Sequence, residues 1–136
     1  MCLLSSILLR LFPGEKISPR DIIKRDQISY SNGTITISGI EGDVIIPDIA
    51  DTNSMDGLFD YGHNLLLLDT FDKSALEIGD IIVYSSTQGL IVHRIVEIGT
   101  DTNGCWYKCK GDNNSSKDPY LIRNFNILYL CIGIIY

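Results

Sequence analysis

The chain has no cluster of basic residues, no cysteine or histidine set with metal-ligand spacing, and no apolar run near the roughly 20 residues needed to cross a bilayer. Each absence removes a class of function. Lys plus Arg number 11 against 17 Asp plus Glu, a net charge of -6, so nothing draws the chain to a phosphate backbone and nucleic acid is not an expected partner. Cys2, Cys105, Cys109 and Cys131 include no Cys-x-x-Cys pair. Cys105 and Cys109 fall on one face of a strand, but no second pair completes a zinc site, so neither a metal nor a cofactor is expected. A chain this apolar does not depend on disulfides, which leaves four reduced thiols as the expectation.

With 136 residues, the chain has the size of one domain, able to bury roughly two-thirds of its unfolded surface. The reading is a single domain over 1–136, with an N-terminal helical segment (1–26) ahead of a β core (27–136). Leu4, Ile7, Leu8, Leu11 and Phe12 share one helical face, giving a short amphipathic helix ended by Pro13-Gly14. Such a helix packs on a core or lies on a membrane surface, but is too short to span one. Without a basic start and a small-residue cleavage site it is not a secretory signal, which points to a cytoplasmic or peripheral-membrane location. Ser18-Pro19 then reads as an N-cap followed by proline, opening a turn or two of helix that ends by Asp26.

From there the periodicity changes to two. Ile28 and Tyr30 alternate with polar residues, Asn32-Gly33 interrupts, and Thr34 to Ser38 resumes the alternation, the pattern of a hairpin closed by a type I′ turn. Val44 to Ile46, Asn64 to Leu68, Asp80 to Tyr84, Leu90 to Ile98, Cys105 to Lys110 and Ile127 to Tyr136 are further β-prone runs between Gly, Asp, Asn and Ser clusters. Many short strands and little helix predict a mainly β, compact antiparallel fold. The polar stretch Asp48 to Gly57, after the strand-stopping Pro47, is too rich in Asp, Asn and Gly to be a strand throughout, so Ser54 lies in or beside a loop.

Ser54 among Asp51, Thr52, Asn53, Asp56 and Gly57 is in itself ordinary turn chemistry. His93 stands inside Leu90-Ile91-Val92-His93-Arg94-Ile95-Val96, where an imidazole either finds hydrogen-bond partners as a structural residue or is there for use. A neutral imidazole takes a proton from a serine hydroxyl that is otherwise a poor nucleophile. A third group must then hold the ring, and Lys110-Gly111-Asp112-Asn113-Asn114-Ser115-Ser116-Lys117-Asp118 offers two carboxylates; both also suit turn capping.

Taken together, Ser54-Met55, Gly79-Asp80-Ile81-Ile82-Val83-Tyr84, Val92-His93-Arg94-Ile95-Val96 and Lys110-Gly111-Asp112-Asn113-Asn114 with Asp118 resemble, in that order, the motifs of type I signal peptidases. The likeness is to the archaeal and endoplasmic-reticulum branch, which pairs its serine with histidine where bacterial enzymes and the self-cleaving SOS-type repressors use lysine. It covers roughly Val44 to Tyr136. The resemblance implies the signal peptidase/SOS-repressor type of β fold and a serine endopeptidase acting on a peptide or protein with small residues at the scissile site. It implies Ser54 as nucleophile, His93 as general base and Asp118 as the acid orienting His93. Asp112 would be a structural or alternative acid, and Thr52 with the Ser54 backbone N–H the oxyanion donors.

The chain departs from the pattern in three ways. The transmembrane helix that normally anchors signal peptidases is not expected from this sequence, which bears on the substrate and not on the fold. Gly57 stands where the family's Ser-Met-x-Pro has proline, which predicts a looser loop, and Gly62-His63 replaces Gly-Asp, leaving His63 without an assigned role. Two alternatives remain at this level: a repressor-like domain that cleaves its own chain, and an inactive β module that binds through its strand edges.

Overall fold

The computed structural model describes residues 16–136, and the amphipathic helix expected over Cys2 to Phe12 lies outside the described residues. The described chain is mainly β and antiparallel throughout. Its strands are β1 (Ile28–Ser31), β2 (Thr34–Ile37), β3 (Val44–Ile45), β4 (Asn64–Leu68), β5 (Ile81–Ser86), β6 (Gly89–Asp101), β7 (Gly104–Lys110) and β8 (Ile127–Ile135). β1 and β2 form a separate hairpin, and the other six make one sheet in the order β3-β4-β8-β5-β6-β7.

The β1–β2 turn forms as its sequence predicts. Asn32 has φ +49° and Gly33 φ +78°, the two positive angles of a type I′ turn, whose twist matches that of the paired strands. The predicted helical turn after Ser18-Pro19 does not form; only a 3-10 turn at Arg25–Gln27 follows, after an irregular stretch. Long-range ionic contacts outweigh the local capping signal. Arg20 lies 2.9 Å from the buried carboxylate of Asp80, the Arg20 backbone N–H also donates to it, and the Ile17 carbonyl accepts from Arg94. Residues 17–20 are thereby drawn along the sheet rather than coiled.

β5 is the centre of the sheet and is buried on both faces, which explains its unbroken apolar run. Ile82 and Tyr84 join Leu76, Ile95, Ile122, Ile127 and Leu130 in one core. Ile81 and Val83 join Met55, Phe59, Leu65 and Leu67 in the other. β6 changes neighbours along its length: it pairs with β5 from Gly89 to Arg94 and with β7 from Arg94 to Asp101. A bulge between Ile95 and Glu97 accompanies the change. No strand among the described residues pairs with the outer edge of β6 from Gly89 to His93.

Two of the cysteines, Cys109 and Cys131, are free and buried. Cys105 is disulfide-bonded, so the expectation of four reduced thiols is not met. Among the described residues, no helix is long and apolar enough to cross a membrane.

The burial pattern predicts contrasting costs of truncation. Leu130→Ala, at a core position only 1% exposed, should lower unfolding free energy by roughly 2–5 kcal/mol, whereas Phe125→Ser, 79% exposed, should change it by less than about 0.5 kcal/mol. Chemical denaturation of the two variants checks the difference.

Candidate active site

The strand register brings the first two groups together. Ile82 pairs with His93 and Tyr84 with Ile91, so His93 and Tyr84 are diagonal neighbours on one face of the β5–β6 ladder. Asp118 reaches the same face from the segment after β7, where its backbone N–H donates to the Cys109 carbonyl at 2.9 Å. His93 Nδ1 lies 2.7 Å from Asp118 Oδ2, and the Tyr84 hydroxyl donates to that same oxygen at 2.6 Å. Both His93 and Asp118 are 7% exposed. With Asp118 as a carboxylate, Nδ1 is the donor in this contact, and a neutral ring then presents Nε2 as an acceptor.

Ser54 comes to that acceptor from the opposite side. Its Oγ lies 3.1 Å from His93 Nε2, inside the roughly 2.6–3.2 Å that a working base and nucleophile require. The Thr52 hydroxyl is 3.1 Å from the same Oγ. No group hydrogen-bonds the Ser54 backbone N–H among the described residues.

The loop around Ser54 is held without proline. Asn53 adopts the left-handed conformation at φ +57°, one that asparagine tolerates, and the turn closes through Asp56 N–H to the Asn53 carbonyl. The N–H groups of Leu58 and Phe59 both donate to the Met55 carbonyl, at 3.0 and 3.1 Å, around Gly57 at φ +92°. Proline cannot adopt that angle, so glycine belongs to a different way of turning the chain, closed by these hydrogen bonds rather than by a proline ring. Met55 is buried beneath it at 2% exposure.

The Gly111-Asp112-Asn113 stretch acts as the clamp. Asn113 donates from its backbone N–H to the Ser54 carbonyl at 2.9 Å and from its side chain to the Asn53 carbonyl at 3.0 Å. A methyl group on Gly111 would sit 2.6 Å from the Ser54 carbonyl oxygen, so only glycine permits the approach. Asp112, the other candidate acid, does not meet His93. It makes a two-pronged pair with Arg94 at 2.8 and 2.7 Å, and Arg94 also donates to the Ile17 and Gly79 carbonyls. Burial pushes the Asp112 carboxyl up, but the Arg94 guanidinium, helped by the charges of Lys16 and Lys110, more than offsets this and holds it below the usual carboxylate value.

His63 belongs to the scaffold. Its Nδ1 accepts from the Asp60 N–H at 2.9 Å and its ring meets Tyr136 edge-on, while the Tyr136 hydroxyl donates to the Leu58 carbonyl. Burial raises the thiols of Cys109 and Cys131, the latter to about 11, so both stay protonated at neutral pH and are poor nucleophiles. Among the described residues, no group of three or more His, Cys, Asp or Glu is arranged to hold a metal ion.

A groove of about 460 Å³ runs past Ser54 and His93. Residues of the 45–52 segment, residues 90–93, and Met55, Leu65, Leu67 and Val83 line it. It is largely apolar, with Thr52, Ser54, His93 and two acidic side chains, Asp48 and Asp60, among its polar lining. Sequence reasoning missed the Tyr84 hydroxyl and the Arg94–Asp112 pair. A buried tyrosine in an apolar run, where phenylalanine would serve packing alone, was the available signal for the first.

No family model matches the chain. Over 77 residues, 56% of its length, it is 30% identical to signal peptidase I W of Bacillus subtilis (strain 168). The match covers 40% of that protein, so the chain spans well under half the length of this relative. The likeness is therefore partial and to a signal peptidase I-like protein.

The depressed Asp112 carboxyl sets a pH dependence. Its stabilisation is fully present above the unfolded carboxyl value of about 3.9 and is lost as pH falls through the lower folded value. Asp112→Asn, which leaves Arg94 without its counter-charge, should cost about 3 kcal/mol at neutral pH, with the gap to wild type closing below about pH 4. Denaturant unfolding of both proteins across that range checks it.

Proposed function

We propose that the chain is a signal peptidase-like serine endopeptidase in which Ser54 is the nucleophile, His93 the general base and Asp118 the group that orients His93. The observation that carries this reading is the continuous run of contacts from Asp118 Oδ2 through the imidazole to Ser54 Oγ, at 2.7 and 3.1 Å, where Ser54 and His93 line a largely apolar groove. The partial likeness to a signal peptidase supports the same reaction class.

In this reading an extended peptide lies in the groove and pairs with the edge of β6 that no strand among the described residues covers, so main-chain hydrogen bonds supply affinity and side-chain pockets supply specificity. Small residues flank the scissile bond, which lets the backbone approach Ser54. As Ser54 Oγ attacks the carbonyl carbon, its proton passes to His93 Nε2, and Asp118 stabilises the imidazolium formed. The Thr52 hydroxyl and the Ser54 backbone N–H donate to the oxyanion. His93 then gives the proton to the departing amine as the C–N bond breaks, leaving an acyl-serine. Water attacks that ester with His93 again as base, releasing the acid and restoring the hydroxyl. Asp112 takes no part in proton transfer; it holds Arg94 and, through its neighbours, the Ser54 loop.

Peptide cleavage followed by mass spectrometry tests the reading. Ser54→Ala and His93→Ala should each lower kcat/KM by at least about a thousandfold with folding unchanged. Cleavage that survives either change would refute the assignment. Activity should also fall as pH drops through roughly 6 to 7, where imidazoles take up a proton; a flat profile between about pH 5 and 8 would count against His93 as the base.

A further inference from the structure

Tyr84 touches neither the groove nor Ser54, yet its hydroxyl shares a single carboxylate oxygen with the base. The side chain is 0% exposed, packed with Ile82, Ile95, Ile127 and Cys109, with its ring at an edge angle to Tyr120, 6.2 Å away. Phenylalanine would fill that space without burying a hydroxyl, and a buried hydroxyl is costly unless it is bonded. Here it is bonded to Asp118 Oδ2 at 2.6 Å, and His93 Nδ1 meets the same atom at 2.7 Å. Two donors thus compete for the charge of one oxygen.

We propose that Tyr84 is a positioning residue that sets the proton affinity of the His93–Asp118 pair, keeping His93 neutral and able to accept the Ser54 proton at a lower pH than the pair alone would allow. The inference rests on the peptidase reading for its catalytic consequence, but not for its physical basis. A phenol that donates into Oδ2 draws off part of the charge that would otherwise stabilise an imidazolium. It also fixes the carboxylate plane, and with it the direction of the imidazole ring. Loss of the hydroxyl makes Oδ2 more basic, so the pair holds its proton to higher pH and less neutral imidazole is present at any given pH.

The other titratable or charged groups near this pair come from each surrounding element. Ser54 approaches from its loop with Thr52 beside it, Cys109 from β7, and Tyr120 from the segment beyond Asp118. Arg94 follows His93 in β6 and is paired with Asp112, with Lys110 opposite it on β7. Asp48 and Asp60 line the groove that His93 also lines. Burial, and then the bond to Asp118, push the Tyr84 phenol far above its ordinary value, and burial raises the Cys109 thiol, so both remain neutral donors across the working range. None of these groups donates to Asp118 Oδ2 as Tyr84 does.

Tyr84→Phe tests the proposal through NMR titration of the histidine ring protons, which is simple because the chain has two histidines. The midpoint for His93 should rise by about one pH unit, the scale of one charge-assisted hydrogen bond to its partner carboxylate, while that of His63 stays put. The acid limb of kcat/KM should move up by the same amount, with activity on the alkaline plateau within a few-fold of wild type. An unmoved His93 midpoint would overturn the proposal. Should Tyr84→Phe fail to fold, 3-fluorotyrosine incorporated into the wild-type chain strengthens the phenol as a donor and should lower the His93 midpoint; no change would overturn it equally. A shifted midpoint in a protein that cleaves no peptide would refute the peptidase reading alone, and active wild type with an unmoved midpoint would refute this inference alone.

Discussion

A carboxylate buried beneath a β-sheet is tolerable only where donors converge on it, and Asp118 is the place where that requirement organises this molecule. Its Oδ2 gathers the Tyr84 hydroxyl and the His93 Nδ1–H, and its own backbone N–H is fastened to β7. Once those bonds are made, the imidazole has one orientation left to it. Its second nitrogen then points at the only serine hydroxyl the Asp48 to Gly57 loop brings within 3.1 Å. The same demand that stabilises a buried charge therefore favours the tautomer that leaves Nε2 facing the Ser54 hydroxyl.

The surrounding ion pairs keep that arrangement in register. Arg94 follows His93 on the strand, and by pairing with Asp112 it binds β6 to the stretch whose Asn113 grips the Ser54 loop. Arg94 also reaches the Ile17 carbonyl, while Arg20 pairs with Asp80 at the foot of β5. The segment before β1 is thus stitched to the two strands that carry Tyr84 and His93. Buried pairs of this kind add less net stability than their geometry implies, because desolvation opposes the attraction, but breaking one leaves a stranded charge. That asymmetry suits a scaffold whose task is to hold one geometry.

Much of the fold was legible because its signals are local. Period-two alternation and turn residues located the β1–β2 hairpin and the principal strands, and Asn32-Gly33 named its own turn type. β6 extends past the expected Ile98 to Asp101 because its polar end continues the ladder with β7, which the strand-averse Gly99 and Asp101 around Thr100 do not announce. The helical turn after Ser18 was misread for the same reason: contacts with Asp80 and Arg94, far along the chain, outweighed a cap. At the candidate site, Ser54, His93 and Asp118 emerged from ordered motifs, and the structure brings those three together. The choice between Asp112 and Asp118 turned on which one Arg94 captures. The role of Tyr84 turned on a contact between residues 34 positions apart, and neither is written in local pattern.

The central claim is that His93 stands as a neutral imidazole with its proton on Nδ1 and a bare Nε2 facing the Ser54 hydroxyl. Nitrogen-15 NMR of the histidine rings above neutral pH measures this directly. The account predicts a protonated Nδ1 and an unprotonated Nε2 for His93, with the Nε2 resonance alone displaced on Ser54→Ala. A proton found on Nε2, or an Nε2 signal indifferent to loss of the serine hydroxyl, would contradict it.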